Sequence, residues 1–102
     1  MRQLKNIHPG EILKEEFLEP MGISVYRLSK ETGLSQTRLG QLVKGTRSVT
    51  AETAVKLGKF FDVAPEFWMN LQSLYDIEEA RKQYKKDLKS IHTFDELKDA
   101  VA

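Results

Sequence analysis

The sequence predicts an all-α fold built around a helix-turn-helix. Apolar residues recur at the helical period in every candidate segment, and no run of β-branched or aromatic residues alternates long enough for a strand. Ser, Thr and Pro stand where these segments would begin, and Gly stands where most of them would end. With 102 residues, 40% of them hydrophobic, the chain suffices for one domain with its own core and is too short for two.

The first helix is expected to start at Pro9, whose missing N–H has no partner in a first turn anyway. Ile12, Leu13, Glu16 and Phe17 form its stripe, and Pro20 with Gly22 should stop it. Ser24 reads as the N-cap of a second helix running to Thr32 and ending at Gly33. Ser35 caps a third, which reaches Lys44 before Gly45. Thr50 caps a fourth through Phe61, with Ala54, Leu57, Phe60 and Phe61 turned inward. Pro65 opens a long fifth helix to about Lys89, whose Phe67, Trp68, Leu71 and Leu74 should close the core. Thr93 and Glu96 are spaced as a capping box for a short terminal helix to about Val101. Gly10, Gly22, Gly33 and Gly45 read as helix-end markers and Gly58 as a close-packing site, while Gly40 lies inside the third helix.

The stretch from Ser24 to Gly45 carries the requirements of a helix-turn-helix. Leu28, Leu34, Leu39 and Leu42 face inward, Ser29 is small where the helices cross, and Gly33 supplies the left-handed residue of the turn. The exposed start of the second helix of this motif would then show Gln36, Thr37 and Arg38, with Gln41 on the same face. These side chains match base edges in a DNA major groove: Gln pairs with adenine, Thr meets the thymine methyl, Arg pairs with guanine. Ser24, Arg27, Ser35, Lys44 and Arg47 bracket that helix as phosphate contacts.

Charge supports this placement. The formal net charge is only +1, yet residues 24–59 hold seven cations against two carboxylates, between two acidic flanks. A clustered basic face is the footprint of a polyanion. Cysteine is absent, which removes disulfides and thiolate chemistry and fits a protein of the cytoplasm. No apolar run is long enough for a membrane span. His8 and His92 lie too far apart in sequence for metal-ligand spacing, and no nucleophile or phosphate-loop motif occurs. No enzyme activity, metal or cofactor is expected.

In the second half of the long helix, Leu74, Ile77, Arg81, Tyr84, Leu88 and Ile91 fall at a and d heptad spacing, the pattern of a short dimer seam. The alternative is a tail folded back on its own domain. The whole chain, 1–102, reads as one domain with its core in about 6–84 and an extension from 85 to 102.

Several motifs in order resemble the HigA-type antitoxins of HigBA toxin–antitoxin modules, within the Cro and phage-repressor (XRE) helix-turn-helix family, where similar chains are also called virulence-associated protein I. They are His8-Pro-Gly-Glu-Ile-Leu, Phe17-Leu-Glu-Pro-Met-Gly22-Ile-Ser, the helix-turn-helix, Gly45-Thr-Arg-Ser-Val-Thr50-Ala-Glu-Thr-Ala, and Pro65-Glu-Phe-Trp-Met-Asn-Leu-Gln72. The resemblance implies a lambda-repressor-like five-helix DNA-binding core, homodimerisation, repression of its own operon, and neutralisation of a HigB-like toxin related to RelE-type mRNA interferases. It also implies base contacts at Gln36, Thr37 and Gln41, and phosphate contacts near Ser48 and Thr50. A stand-alone transcriptional regulator without a toxin is the alternative, and a protein-interaction module that keeps the motif only as scaffold is a third reading.

Overall fold

His8 opens the first helix as its N-cap, its ring Nδ1 accepting the Gly10 N–H at 2.9 Å. In this computed structural model, which describes residues 5–101 and the side chains of residues 5–99, α1 (Pro9–Ile12) runs directly into a π-helical turn, Leu13–Leu18, and then into α2 (Glu19–Met21). Residues 1–4 and 102, part of the single domain expected from sequence, lie outside the described residues. Pro20 was expected to help stop the helix, yet it sits inside α2, and Gly22 ends the rod at φ 64°. The π turn explains this. It shifts the ladder so that the Glu19 N–H reaches the Lys14 carbonyl five residues back, absorbing a proline that a regular α-helical ladder would not hold.

The next three helices begin where the sequence places them. Ser24 Oγ accepts from the Arg27 N–H at 3.0 Å and starts α3 (Val25–Thr32). Ser35 Oγ accepts from the Arg38 N–H at 3.0 Å and starts α4 (Gln36–Lys44). Thr50 Oγ1 accepts from the Thr53 N–H at 3.3 Å and starts α5 (Ala51–Phe61). Asp62, not glycine, takes the left-handed position after α5, at φ 56°. Val63 then returns its N–H to the Gly58 carbonyl at 2.9 Å.

The core is built on α6 (Pro65–Gln83), which packs on α5 and α1, while α4 packs on both α1 and α3. Leu13, Leu28, Leu34, Leu39, Leu42, Leu57 and Trp68 are buried together. The Trp68 ring lies 5.0 Å from Phe17 and 5.1 Å from Phe67. Leu74, assigned to the core from sequence, is instead 67% exposed, because the packed part of α6 ends near Gln72. Gly10 is a close-packing residue rather than a helix-end marker, since a Cβ there would stand 1.7 Å from the Leu42 carbonyl oxygen. Gly58 is tight as expected, with Val63 O at 2.6 Å from the Cβ position.

The long fifth helix does not reach Lys89 unbroken. It ends at Tyr84 (φ −104°, ψ 22°), followed by α7 (Lys85–Ser90) and α8 (Phe94–Val101). Arg81 and Lys82 favour a helix C-terminus at this point, and no core contact forces the rod to continue. Thr93 Oγ1 accepts the Glu96 N–H at 3.2 Å, so half of the capping box forms, while the Glu96 carboxylate turns to His92 Nδ1 at 3.1 Å. The tail does not fold back. Residues 81–99 are exposed, and the radius of gyration is 18.4 Å over a long axis of 62 Å, against about 13 Å for a compact chain of this length. Among the described residues every regular element is helical, and no helix is long and apolar enough to cross a membrane.

Candidate nucleic-acid interface

The turn between α3 and α4 is pinned by side chains. Ser29 Oγ donates to the Leu34 carbonyl at 2.6 Å. Thr32 Oγ1 donates to the Leu28 carbonyl at 2.7 Å and accepts from the Leu34 N–H at 3.2 Å. With Gly33 at φ 79° and the four leucines of the motif buried, the relative setting of the two helices is fixed. The outer face of α4 then presents Gln36 and Thr37 exposed, with Arg38 and Gln41 half-buried beside them.

Two of these four side chains are already engaged. Arg38 Nη1 lies 3.0 Å from Glu52 Oε1, and the second Glu52 oxygen lies 2.6 Å from Lys56 Nζ. Both hydrogen bonds, that of Lys56 first, hold the Glu52 carboxyl below its ordinary value of 4.5. Gln41 Oε1 accepts from Arg47 Nε at 2.8 Å. The free edge of Gln41 is therefore its amide NH2, a donor suited to N7 or O6 of guanine or to N7 of adenine. Bidentate pairing with adenine would require Arg47 to release the oxygen.

The residues assigned to phosphate divide into three groups. Ser24, Ser35 and Thr50 use their oxygens as helix caps. Arg27 pairs with Glu31 on its own helix at 2.9 Å. Lys44, Arg47 and Ser48 are exposed at the end of α4 and in the following loop, and Lys44 pairs with no carboxylate among the described residues. Arg47 therefore joins Gln41 at the far end of the α4 face, and Arg38 joins α5 near Thr50, whereas Arg27 stays tied within α3. The seam residues lie elsewhere, on α6 and the tail, where Leu74, Ile77, Tyr84, Leu88 and Ile91 are all exposed and Arg81 pairs with Glu78 at 3.3 Å.

Three supporting residues escaped the sequence reading. Gln72 is buried in α6, and its Oε1 accepts the Val49 N–H at 2.7 Å, fastening the loop that carries Arg47 and Ser48. Its Nε2 donates to Asp76 Oδ1 at 2.8 Å. A polar residue four positions after the core Trp68 was the available signal, since that spacing repeats a helix face. Glu52 carries no signal in the sequence beyond its place two residues after the Thr50 cap. Asn6 donates to both the Tyr75 carbonyl and Glu79 Oε2 at 3.0 Å, lacing the N-terminal segment to α6. Beside it the buried His8 ring meets Tyr75 edge-on at 4.9 Å, and burial lowers its pKa below the ordinary 6.5 against the opposing pull of Asp76 and the Arg47 backbone. No group of three His, Asp or Glu among the described residues is placed to hold a metal ion.

Residues 14–68 match the helix-turn-helix family. Virulence-associated protein I of Dichelobacter nodosus is 40% identical over 80 residues, covering 78% of this chain and 74% of that protein. The solved structure of an addiction module antidote protein of a HigA family from Coxiella burnetii is 42% identical with a TM-score of 0.82, covering 88% of this chain and 98% of that one. The Pseudomonas aeruginosa antitoxin HigA, solved with the higBA promoter, is 36% identical with a TM-score of 0.84 over the same shares.

Proposed function

The chain belongs to the helix-turn-helix family of DNA-binding regulators, which are not enzymes, and from that premise we propose that it is an antitoxin of the HigA type that binds operator DNA through α4. The observation that carries this reading is the face of α4, where Gln36, Thr37 and the Gln41 amide stand exposed between Arg38 and the Lys44–Arg47 end. Gln36, Thr37, Arg38 and Gln41 read base edges, while Lys44, Arg47, Ser48, Thr50, Ser35, Ser24 and Arg27 meet phosphates. A homodimer joined through the exposed α6–α7 face presents two such helices to half-sites one helical turn apart. The protein acts in the cytoplasm, represses its own toxin–antitoxin operon and neutralises a HigB-like toxin related to RelE-type mRNA interferases. Relatives named antidote and antitoxin support that role, as do the exposed carboxylates Glu15, Glu16 and Glu19 of the first rod, which suit a basic protein.

The test is DNA binding by fluorescence anisotropy over a salt series, using duplexes of about 30 base pairs selected from a random pool, long enough for two half-sites. Lys44→Ala should weaken all duplexes alike and flatten the salt slope by roughly one unit. Gln36→Ala should lose about 1–3 kcal/mol on the selected duplex only. Salt-independent binding, with both variants behaving as the parent, excludes the assignment. Co-expression with a small basic protein encoded beside this gene tests the toxin, and failure to co-purify favours a stand-alone regulator.

A further inference from the structure

Arg38 is the cation of the first turn of α4, and it is not free. Its guanidinium is held by Glu52 at 3.0 Å, and Glu52 is itself fastened by Lys56 at 2.6 Å, so the carboxylate bridges α4 to α5 from a fixed position. Glu52 also stands in the first turn of α5, where the helix N-terminus favours its charge.

We propose that Glu52 is an affinity-setting residue that holds Arg38 in reserve, so that Arg38 adds to binding where it reaches a guanine edge and adds nothing where it meets only a phosphate. This rests on the reading of α4 as the DNA-binding helix. The relative strengths of the contacts make the device work. The side chains of the pair are 31% and 50% exposed, and a pair so placed is worth about a two- to fivefold change in equilibrium. A good bidentate contact to the correct base is worth roughly five- to 150-fold. Arg38 therefore leaves Glu52 readily for guanine. On a duplex without a guanine at that position, a solvated phosphate contact gains about as much as the broken pair loses, and the exchange yields nothing. Lys56 strengthens the effect, because a carboxylate anchored at its second oxygen does not swing aside with the departing guanidinium.

The test compares the parent with Glu52→Gln, Arg38→Ala and the double variant. Each is titrated against the duplex selected from the random pool and against poly(dA·dT), which offers no guanine. Glu52→Gln should bind poly(dA·dT) about two- to fivefold more tightly, with a salt slope steeper by about 0.9, because Arg38 now reaches a phosphate. The selected duplex should gain by a similar factor, because there too the pair no longer has to be broken, so the ratio of the two affinities is kept. In the Arg38→Ala background, Glu52→Gln should change neither affinity. Equal tightening with and without Arg38 overturns the proposal, since Glu52 would then act only by repelling phosphates. An unchanged affinity of Glu52→Gln for poly(dA·dT) also overturns it. A parent protein that binds neither duplex overturns the DNA reading itself, which is a different failure.

Discussion

His8 shows how one side chain joins three parts of this molecule. Its Nδ1 caps α1, its ring rests edge-on against Tyr75 of α6, and Gly45 at the end of α4 lies against it, since a Cβ there would stand 3.6 Å from the His8 Cγ. Protonating Nδ1 would replace an acceptor with a donor facing the Gly10 N–H. Burial accordingly depresses the His8 pKa below 6.5, which sets the sign of a pH effect. Below that value the unfolded chain takes up a proton that the folded chain resists. Stability is therefore complete above about pH 6.5 and declines as the pH falls toward the lower folded value. Denaturant midpoints at pH 7.5 and pH 5.5 should differ in that direction for the parent. His8→Asn, which keeps a capping oxygen without a titrating ring, should reduce the difference. An undiminished difference in the variant would assign the pH dependence to other groups.

At the scale of the element, α4 carries one internal cost. Gly40 sits in its interior, and a Cβ built there would meet nothing within 4 Å. No packing contact within the fold therefore requires glycine, and Gly40→Ala should stabilise the protein by roughly 0.5–1 kcal/mol, seen as a rise in Tm of a few degrees. Duplex binding by the same variant then decides what the glycine is for. Retained affinity means the position is merely tolerated, whereas a loss beside a raised Tm means that a bound backbone approaches it closely. The π turn in the first rod is a second departure from regular helix, and here the sequence held the reason in Pro20. Proline in a helix interior announces a break or a widened turn without saying which. The rod continues because Leu13, Phe17 and Leu18, all within the turn, are packed in or against the core.

At the scale of the whole molecule, the helical core ends before the chain does. Leu74, Ile77, Tyr84, Leu88, Ile91, Phe94 and Leu97 are all large, apolar and exposed along the far part of α6 and the tail. Apolar surface of this extent marks an interaction site. If the α6–α7 face is the dimer seam, Leu74→Asp combined with Ile77→Asp should keep the fold, because both side chains are already in solvent. It should also lower the mass in solution to that of one 11.7 kDa chain. Affinity for a two-half-site duplex should fall with it, while a single half-site is bound as before. A variant that still doubles in mass by light scattering would move the interface elsewhere.

The starts of α3, α4, α5, α6 and α8, the left-handed turn at Gly33, the buried leucines of the motif and the exposed residues of α4 were legible in the sequence. Each depends on local backbone preference or on a spacing that repeats within one helix, and such information travels with the residues themselves. The capping serines, for example, bond backbone N–H groups only three positions away. The remainder lies between elements. The partnering of Arg38 with Glu52, of Arg47 with Gln41, and of Gln72 with the Val49 N–H depends on how helices and loops approach one another. So does the fit of Gly10 against Leu42. The break at Tyr84 and the outward course of the tail follow from the lack of core contacts past Glu79, from which every residue to 99 is exposed. The amino-acid order settled which side chains the outer face of α4 carries. The packed fold decided which of them stand free and which are engaged, because hydrogen bonds and ion pairs between separate elements exist only after the core has fixed their positions.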